Sequence, residues 1–382
     1  AAPMSPRHLA LLGHRLASPG ATGVGRYYTE LVRGVAAAMA PGDRLVVAST
    51  REAGHPTSLP IGVDHRTIPG PRKLVTLGWA LARRPRVDRA LGRPDLVHAM
   101  HVWAPTPTRA RLVVTIHDLM PFRHPQWYGR VENWSFRRAV AYARDHADLV
   151  LTDSENEGRQ LVAAGIERGR LRVVPLGVDN GFRRRPTVSE RDRVCAEYGV
   201  EPGRYLVAVG AVSERKNLPV VLRALAGVDP DRLGSPGLLV IGPSWAGSER
   251  VEALVADLGL TDRVRFTGYV PGEALPVLIG AALALVHPSQ DEGFGLTPLE
   301  AMAAGVPALV ADAGSLREIV GDAGLVLDGA DPDAWAEAID SVATDAGRRQ
   351  ALVEAGQRRQ STFTWPRTAA ATVAVYDELL AR

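Results

Sequence analysis

The chain has one cysteine, Cys195, among its 382 residues. That excludes a disulfide within the chain and any cysteine-based metal cluster. It has no run of 18 or more apolar residues, so no membrane-spanning helix is expected. Gly13, His14 and Arg15 interrupt the first apolar run, so no signal-peptide core is read there and a cytoplasmic location is expected. Charged residues make up 23% and apolar ones 46%, the balance of a soluble α/β protein. The length is large for one core and comfortable for two domains of ordinary size.

Lysine is nearly absent as well: Lys73 and Lys216 stand beside 43 arginines. A sequence that uses arginine by default keeps lysine at 216, within Ser213-Glu-Arg-Lys-Asn-Leu218, directly after the apolar strand Tyr205–Val209. A compact charge on a flexible stem at a strand-to-helix junction suits contact with phosphate. The alternative is a surface residue at a helix start. The net charge of +3 hides an asymmetry, because residues 1–180 hold 25 basic against 15 acidic side chains and residues 181–382 hold 20 against 27. A basic first half points to an anionic partner there, such as a membrane surface or a phosphorylated acceptor, or else to a solvated arginine-rich surface. No nucleic-acid motif accompanies the charge. Residues 72–93 carry seven basic side chains and one acid, Asp88, interleaved with Leu74, Val75, Leu77, Trp79 and Leu81. Such a segment fits a helix lying on an anionic membrane, or a helix packed on its own sheet, with Pro85 ending it.

Short apolar runs alternate with helical patterns, as in parallel βαβ units. Strands are expected at 8–13, 44–48, 95–99, 112–116, 149–152 and 171–174, then at 205–209, 238–241, 264–267, 282–286, 306–310 and 325–327. Helices are expected at 25–40, 127–146, 155–164, 218–226, 249–258, 273–279, 298–304 and 333–357. Residues 177–204 read as the linker between two doubly wound domains, with a second crossing near residue 363.

The most informative stretch is Asp291-Glu-Gly-Phe-Gly-Leu-Thr-Pro-Leu-Glu300. It follows an apolar strand and opens a helix. Thr297 stands where an N-cap belongs, Pro298 suits the first helical position and Glu300 falls at the third. A helix start offers free amides and a partial positive charge, and Gly293 and Gly295 allow close approach to them. Phosphate can rest on those amides while Glu292 and Glu300 receive hydroxyl groups, which describes a site for a sugar nucleotide. Thr297-x-x-Glu300 is equally a capping box, which accounts for Glu300 without a ligand.

The longer run Glu292-Gly-Phe-Gly-Leu-Thr-Pro-Leu-Glu300-Ala-Met-Ala-Ala-Gly-Val-Pro307 resembles the donor-site signature of retaining GT-B glycosyltransferases of family GT4. The resemblance implies a GT-B fold: two doubly wound Rossmann-like α/β domains facing across a cleft, with a C-terminal helix crossing back to the first. It implies an acceptor-binding domain over residues 1–180, completed by 363–382, and a donor-binding domain over 181–362. It places Glu292 beside the transferred sugar and Glu300 on the nucleotide ribose, with Gly293, Phe294, Gly295, Leu296 and Thr297 around the donor. Ala208-Val-Gly210 through Arg215-Lys-Asn217 looks like the diphosphate-binding segment. Many relatives carry arginine directly after that glycine; this chain has Ala211, and Arg215 is expected to supply the charge beside Lys216. Leu239-Val-Ile-Gly242-Pro243 and Phe266-Thr-Gly-Tyr-Val270 resemble the strand ends around the base. Thr22-Gly23-Val-Gly25-Arg-Tyr27 resembles the glycine loop that faces donor phosphate and acceptor. Asp95-Leu-Val-His98 and Thr115-Ile-His117-Asp118-Leu119 resemble two further motifs. His117 matches the histidine that reaches the transferred sugar, its strand-end position and the adjoining Asp118 supporting the assignment; His98 and His101 are weaker candidates.

The expected activity is retaining transfer of a hexose from a nucleotide sugar, with GDP-mannose favoured because these motifs look most like the branch rich in mannosyl- and rhamnosyltransferases. No cofactor is expected, and no clustered Asp-x-Asp metal motif is read in the sequence, in agreement with metal-free stabilisation of the leaving group. Arg215, Lys216 and the amides of residues 293–297 would meet the leaving diphosphate. The acceptor stays open between a glycan, a lipid-linked sugar and a small molecule, with peripheral contact to an anionic membrane as a further expectation. Two rivals are a GT-B epimerase or phosphorylase and a non-catalytic nucleotide-sugar-binding protein.

Overall fold

Strands that are apolar on both faces, such as Leu238–Ile241 or Leu149–Thr152, are stable only in a parallel sheet covered on either side by helices. The computed structural model describes residues 6–13, 23–51, 59–102, 104–234, 237–245 and 247–382. It divides into two compact units, Ala1–Gly177 with Trp365–Arg382, and Val178–Thr364.

The first unit runs β1 (His8–Leu12), α1 (Gly23–Ala37), β2 (Arg44–Thr50), β3 (Val63–Ile68), α2 (Arg72–Ala82), β4 (Leu96–Ala99), β5 (Arg111–Thr115), α3 (Met120–Arg123), α4 (Arg130–His146), β6 (Leu149–Thr152), α5 (Glu155–Ala163) and β7 (Leu171–Val173). The second runs α6 (Val188–Glu197), β8 (Leu206–Val209), α7 (Leu218–Gly227), β9 (Leu238–Ile241), α8 (Ser248–Asp257), β10 (Val264–Gly268), α9 (Ala274–Gly280), β11 (Ala284–His287), α10 (Leu296–Ala304), β12 (Ala308–Ala311), α11 (Leu316–Val320), β13 (Leu325–Leu327), α12 (Pro332–Thr344) and α13 (Ala346–Gln360). The chain closes with α14 (Trp365–Leu380).

The sheet orders are β3-β2-β1-β4-β5-β6-β7 and β10-β9-β8-β11-β12-β13, with parallel pairing throughout. Both are Rossmann-like orders that reverse direction once, between β1 and β4 and between β8 and β11. Ligands of such sheets bind at the carboxyl ends beside that reversal. Trp79, Val97, Val114 and Phe136 lie in the first core; Leu222, Val240, Val286 and Trp335 lie in the second.

The short helices α3 and α11 were not expected from the sequence, and three further elements differ for identifiable reasons. Strand β3 was not expected, because Val63-Asp-His-Arg-Thr-Ile68 lies at the sheet edge and its apolar pattern is weak. The stretch expected as a linker contains helix α6, capped by Thr187, whose side chain accepts the Glu190 amide. The single helix expected over 333–357 is two, because the Asp345 carboxylate accepts the Arg348 amide at 2.8 Å and starts α13.

Helix α14 is built into the first unit. A Cβ added to Gly34 on α1 would lie 2.3 Å from the Ala369 Cβ, so glycine is what lets the two helices meet. Tyr376 is buried and its hydroxyl stands 2.6 Å from His98 Nδ1 on β4. Arg7–Asp377 at 2.6 Å and Arg172–Glu378 at 2.7 Å flank this contact. Such partly exposed pairs add about 0–1 kcal/mol each, so burial of Trp365, Val375, Tyr376 and Leu379 carries most of the attachment.

Candidate functional site

In the second unit, β8 and β11 end side by side at the reversal of strand order. After β8 the backbone turns through Gly210 at φ +136, where a Cβ would lie 2.7 Å from Lys216 Cε. Gly242, after β9, sits closer still: a Cβ there would lie 2.2 Å from the Gly210 carbonyl oxygen. The two glycines therefore let the ends of β8 and β9 and the Lys216 side chain meet. A 3-10 turn, Glu214–Lys216, ends at Asn217 in the left-handed conformation (φ 48) before α7 begins. Asn217 is held by its Nδ2–H bond to the Gly329 carbonyl at 2.8 Å. Val270 lies buried just past β10.

This turn and the end of β11 bring three groups onto one oxygen. Glu292 Oε1 lies 2.6 Å from Arg215 Nη1, 2.7 Å from Lys216 Nζ and 3.2 Å from His287 Nε2. Burial pushes the Glu292 carboxyl up, but the charges of Lys216 and Arg215 outweigh it and hold the group well below the ordinary carboxylate range. Burial likewise lowers Lys216, with Glu292 opposing it. Burial first, and then the Lys216 charge, bring His287 down to about 4, so its ring is neutral at pH 7. A neutral ring facing a carboxylate donates through Nε2–H.

Gly314 and Ser315 hold the Glu292 backbone. A Cβ on Gly314 (φ +55) would lie 2.4 Å from the Glu292 carbonyl oxygen. The Ser315 amide donates to that oxygen at 2.9 Å, and its hydroxyl donates to the Gly293 carbonyl at 2.8 Å. His287, Gly314 and Ser315 were not singled out from the sequence. A polar residue ending an apolar strand was a signal for His287; nothing local marked the other two, which act across more than twenty residues.

The helix start differs from its expected form. Helix α10 begins at Leu296, with Gly295 at the N-cap (φ 121) and no side-chain cap. Thr297 is thus the second helical residue rather than the cap, and the Thr297–Glu300 capping box does not form. Pro298 falls in the first turn, where a missing N–H costs nothing. The amides of Leu296 and Thr297 lie in the turn that lacks intrahelical partners. Glu300 is buried on this helix, and Phe294 is buried edge-on against Phe363 at 5.9 Å.

His117, Gly23 and Gly25 belong to the first unit; Thr22 lies outside the described residues. Gly23 opens α1 and Gly25 is buried in its first turn. His117 Nδ1 stands 2.7 Å from Asp153 Oδ2, and Nε2 stands 3.2 Å from the Met100 carbonyl, which can only accept. Burial disfavours the charged ring, yet the Asp153 carboxylate more than offsets it and raises the His117 pKa. The partner is Asp153, at the end of β6, and not the adjoining Asp118, whose Oδ1 accepts the Met120 amide at 2.9 Å. Tyr27 packs edge-on against the His117 ring at 4.7 Å, and His101 stacks on it at 5.5 Å. The fully buried Glu157 accepts from the Leu119 amide at 3.0 Å and from Arg123, fixing the chain just past His117.

His98 is a core residue. Its two nitrogens meet Tyr376 and the Thr115 hydroxyl at 2.6 and 2.7 Å, and Thr115 meets Tyr27 at 3.0 Å. Burial, aided by the His117 charge, lowers His98 to about 3 and keeps it neutral. A pocket of about 830 Å³ opens beside His101 and Asp118, with Tyr128, Arg130, Glu132 and Ser135 on its wall.

The Asp-x-Asp spacing does occur twice, at Asp229–Asp231 and Asp331–Asp333, and in both the first carboxylate caps a helix start by accepting backbone amides. Among the described residues, no group of three or more His, Cys, Asp or Glu side chains could hold a metal ion. Nor, among those residues, is any helix long and apolar enough to cross a membrane.

Residues 196–359 match the family described as Glycosyl transferases group 1, and residues 21–182 match Glycosyltransferase Family 4. A D-inositol 3-phosphate glycosyltransferase of Salinispora tropica is 33% identical to this chain, covering 84% of it and 70% of that protein. The O-antigen chain mannosyltransferase B of Escherichia coli is 30% identical, covering 70% of this chain and 71% of its own. Among solved structures, the sucrose-phosphate synthase of Thermosynechococcus elongatus aligns with a TM-score of 0.76 at 23% identity, covering 98% of this chain and 99% of that one. That last likeness shows the fold alone.

Proposed function

The chain belongs to glycosyltransferase family 4 and carries its GT-B fold, and from that premise we propose that it transfers a hexose, with retention of configuration, from a nucleoside diphosphate sugar to an acceptor hydroxyl. The observation that carries this reading is the convergence of Arg215, Lys216 and His287 on Glu292 Oε1, beside the start of α10. We assign the donor to the second unit and the acceptor to the first.

The reaction breaks the bond from the anomeric carbon to the diphosphate oxygen and joins the acceptor oxygen to the same carbon. The acceptor proton leaves with the departing phosphate. Arg215, Lys216 and the amides of Leu296 and Thr297 are suited to receive the charge that develops on the leaving group. Glu292, kept anionic by its neighbours, accepts hydroxyls of the sugar, and Glu300 accepts those of the ribose. Gly210 and Gly242 leave room for close approach of the ligand to the backbone, with Val270 toward the base. His117, held at 2.7 Å by Asp153, is assigned to the transferred sugar on its match to the family motif.

GDP-mannose is our reading for the donor, supported by the likeness to the mannosyltransferase. For the acceptor we infer a polyhydroxylated molecule, free or lipid-linked, in the pocket walled by Asp118, Glu132 and Ser135. Carboxylates and a hydroxyl suit sugar or cyclitol hydroxyls, and the name of the inositol phosphate relative agrees.

The test screens nucleotide sugars, GDP-mannose first, for thermal stabilisation, then follows diphosphate release with and without glycan and cyclitol acceptors in EDTA. Acceptor-dependent release that survives EDTA is expected. Donor conversion without acceptor would identify an epimerase, and binding without release by any acceptor a non-catalytic protein. Activity lost in EDTA and restored by magnesium or manganese would overturn the metal-free scheme.

A further inference from the structure

Helix α2 buries one face and leaves the opposite one bare. Val75 and Trp79 are 5% and 0% exposed, whereas Leu74, Leu77 and Leu81 are 65%, 47% and 60% exposed. Steps of three and four residues put those leucines in one row. The neighbouring helix α4 adds Val131 and Trp134, 79% and 42% exposed and again three apart. Arg138 ties the two helices together. Its Nε and Nη2 donate to the Ala80 carbonyl at 2.9 and 2.6 Å, and its guanidinium stands 5.3 Å from the Trp134 ring centre. Trp134 therefore stands beside the C-terminal end of α2.

Around the leucine row of α2 the charge has one sign. Lys73, Arg83, Arg84 and Arg86 are exposed, and no carboxylate occurs from residue 72 to residue 87. Exposed Arg130 and Arg137 extend the array along α4, where Glu132 is in the first turn and Asp145 is paired with Arg144. The basic turn is also fixed in place. Arg83 ends α2 in the left-handed conformation (φ 54), Trp79 Nε1–H donates to the Pro85 carbonyl at 2.8 Å, and a Cβ on Gly78 would lie 2.6 Å from the Arg84 carbonyl oxygen.

We infer that the exposed face of α2, with the adjoining part of α4, docks on an anionic lipid bilayer. The leucines and Trp134 would enter the boundary between headgroups and acyl chains, while the lysine and arginines meet lipid phosphates with their stems along the apolar layer. A narrow apolar row, cations with no acid among them along α2 and a tryptophan at its edge are complementary to a surface that is apolar below and uniformly anionic above.

Flotation with vesicles tests this. The intact protein should float with vesicles containing phosphatidylglycerol and not with pure phosphatidylcholine, and binding should weaken as salt rises. Each basic side chain near such a surface contributes roughly fivefold in partition, so Arg84→Gln with Arg86→Gln should lower binding about 25-fold. Leu77→Ser with Leu81→Ser should abolish it even at low salt. None of these side chains is placed in the donor or acceptor site, so the thermal midpoint and turnover on a water-soluble acceptor should stay unchanged. Equal flotation with both vesicle types, none with either at low salt, or loss of a dimer in the leucine variant without any vesicle binding would overturn the inference.

Discussion

Replacing Lys216 by alanine separates what the lysine does for the fold from what it does for the chemistry. Lys216 Nζ lies 2.7 Å from Glu292 Oε1, and each side chain is 14% exposed. At an effective dielectric of about 20 the attraction at that distance is roughly 6 kcal/mol. Taking both ions out of water costs several kcal/mol each, so the pair is close to break-even for stability. Removing one partner of a buried pair costs about 3–5 kcal/mol when the other charge is orphaned. Here Arg215 stays 2.6 Å from the same oxygen and His287 still donates, so Glu292 is not orphaned. The stability loss should be smaller, about 1–2 kcal/mol by urea unfolding. The rate tells the other half. A preorganised donor to the leaving group is worth about 100- to 1000-fold in kcat, and a contact made only in the transition state lowers kcat and kcat/KM together. An internal check uses His287, which the Lys216 charge helps hold near 4; its titration, followed by its ring proton resonance, should move up in the variant. A folded variant with unchanged turnover, or one that changes KM alone, refutes the leaving-group role.

Glu300→Gln should weaken binding of a nucleoside diphosphate by about 10- to 100-fold, the loss of a charge-assisted hydrogen bond; calorimetry giving an unaltered Kd would remove Glu300 from the ribose site. Gly314→Ala adds a Cβ 2.4 Å from the Glu292 carbonyl oxygen at φ +55, so it should cost about 2–5 kcal/mol from backbone conformation and overpacking combined, with activity falling too; a variant as stable and active as the parent would mean that this loop yields freely. His98 at about 3 and His287 at about 4 lie below their unfolded value near 6.5, so the unfolded chain binds more protons and stability falls as pH drops from 6.5 toward 4. Each contributes up to about 1.4 kcal/mol per pH unit across that window, and the slope of stability against pH between about 6.5 and 5, from urea titrations, should fall by about that amount in His98→Gln; an unaltered slope counts against the assignment. His117, raised by Asp153, acts the other way: its contribution is full below pH 6.5 and is lost as pH climbs through its folded value.

The sequence by itself determined the two Rossmann-like units and the elements that carry the run from Glu292 to Pro307. Strand periodicity, glycine at strand ends and the run from Glu292 to Pro307 are local, and a local signal survives without knowledge of the fold. Lys216 stood out because the chain otherwise uses arginine, and Glu292 because it follows an apolar strand. What only the tertiary structure decided is who meets whom. Asp153 rather than Asp118 holds His117, since the ends of adjacent strands β5 and β6 are nearer to one another than neighbouring residues that point apart. Gly295 rather than Thr297 starts α10, because the Gly314–Ser315 turn fixes the backbone two residues earlier. The bare row of leucines on α2 was open to either reading in the sequence, since periodicity marks an apolar residue without saying which face of its helix the sheet will cover. Contacts of this kind join residues twenty to three hundred positions apart, and their partners are chosen by packing, on which short-range pattern is silent.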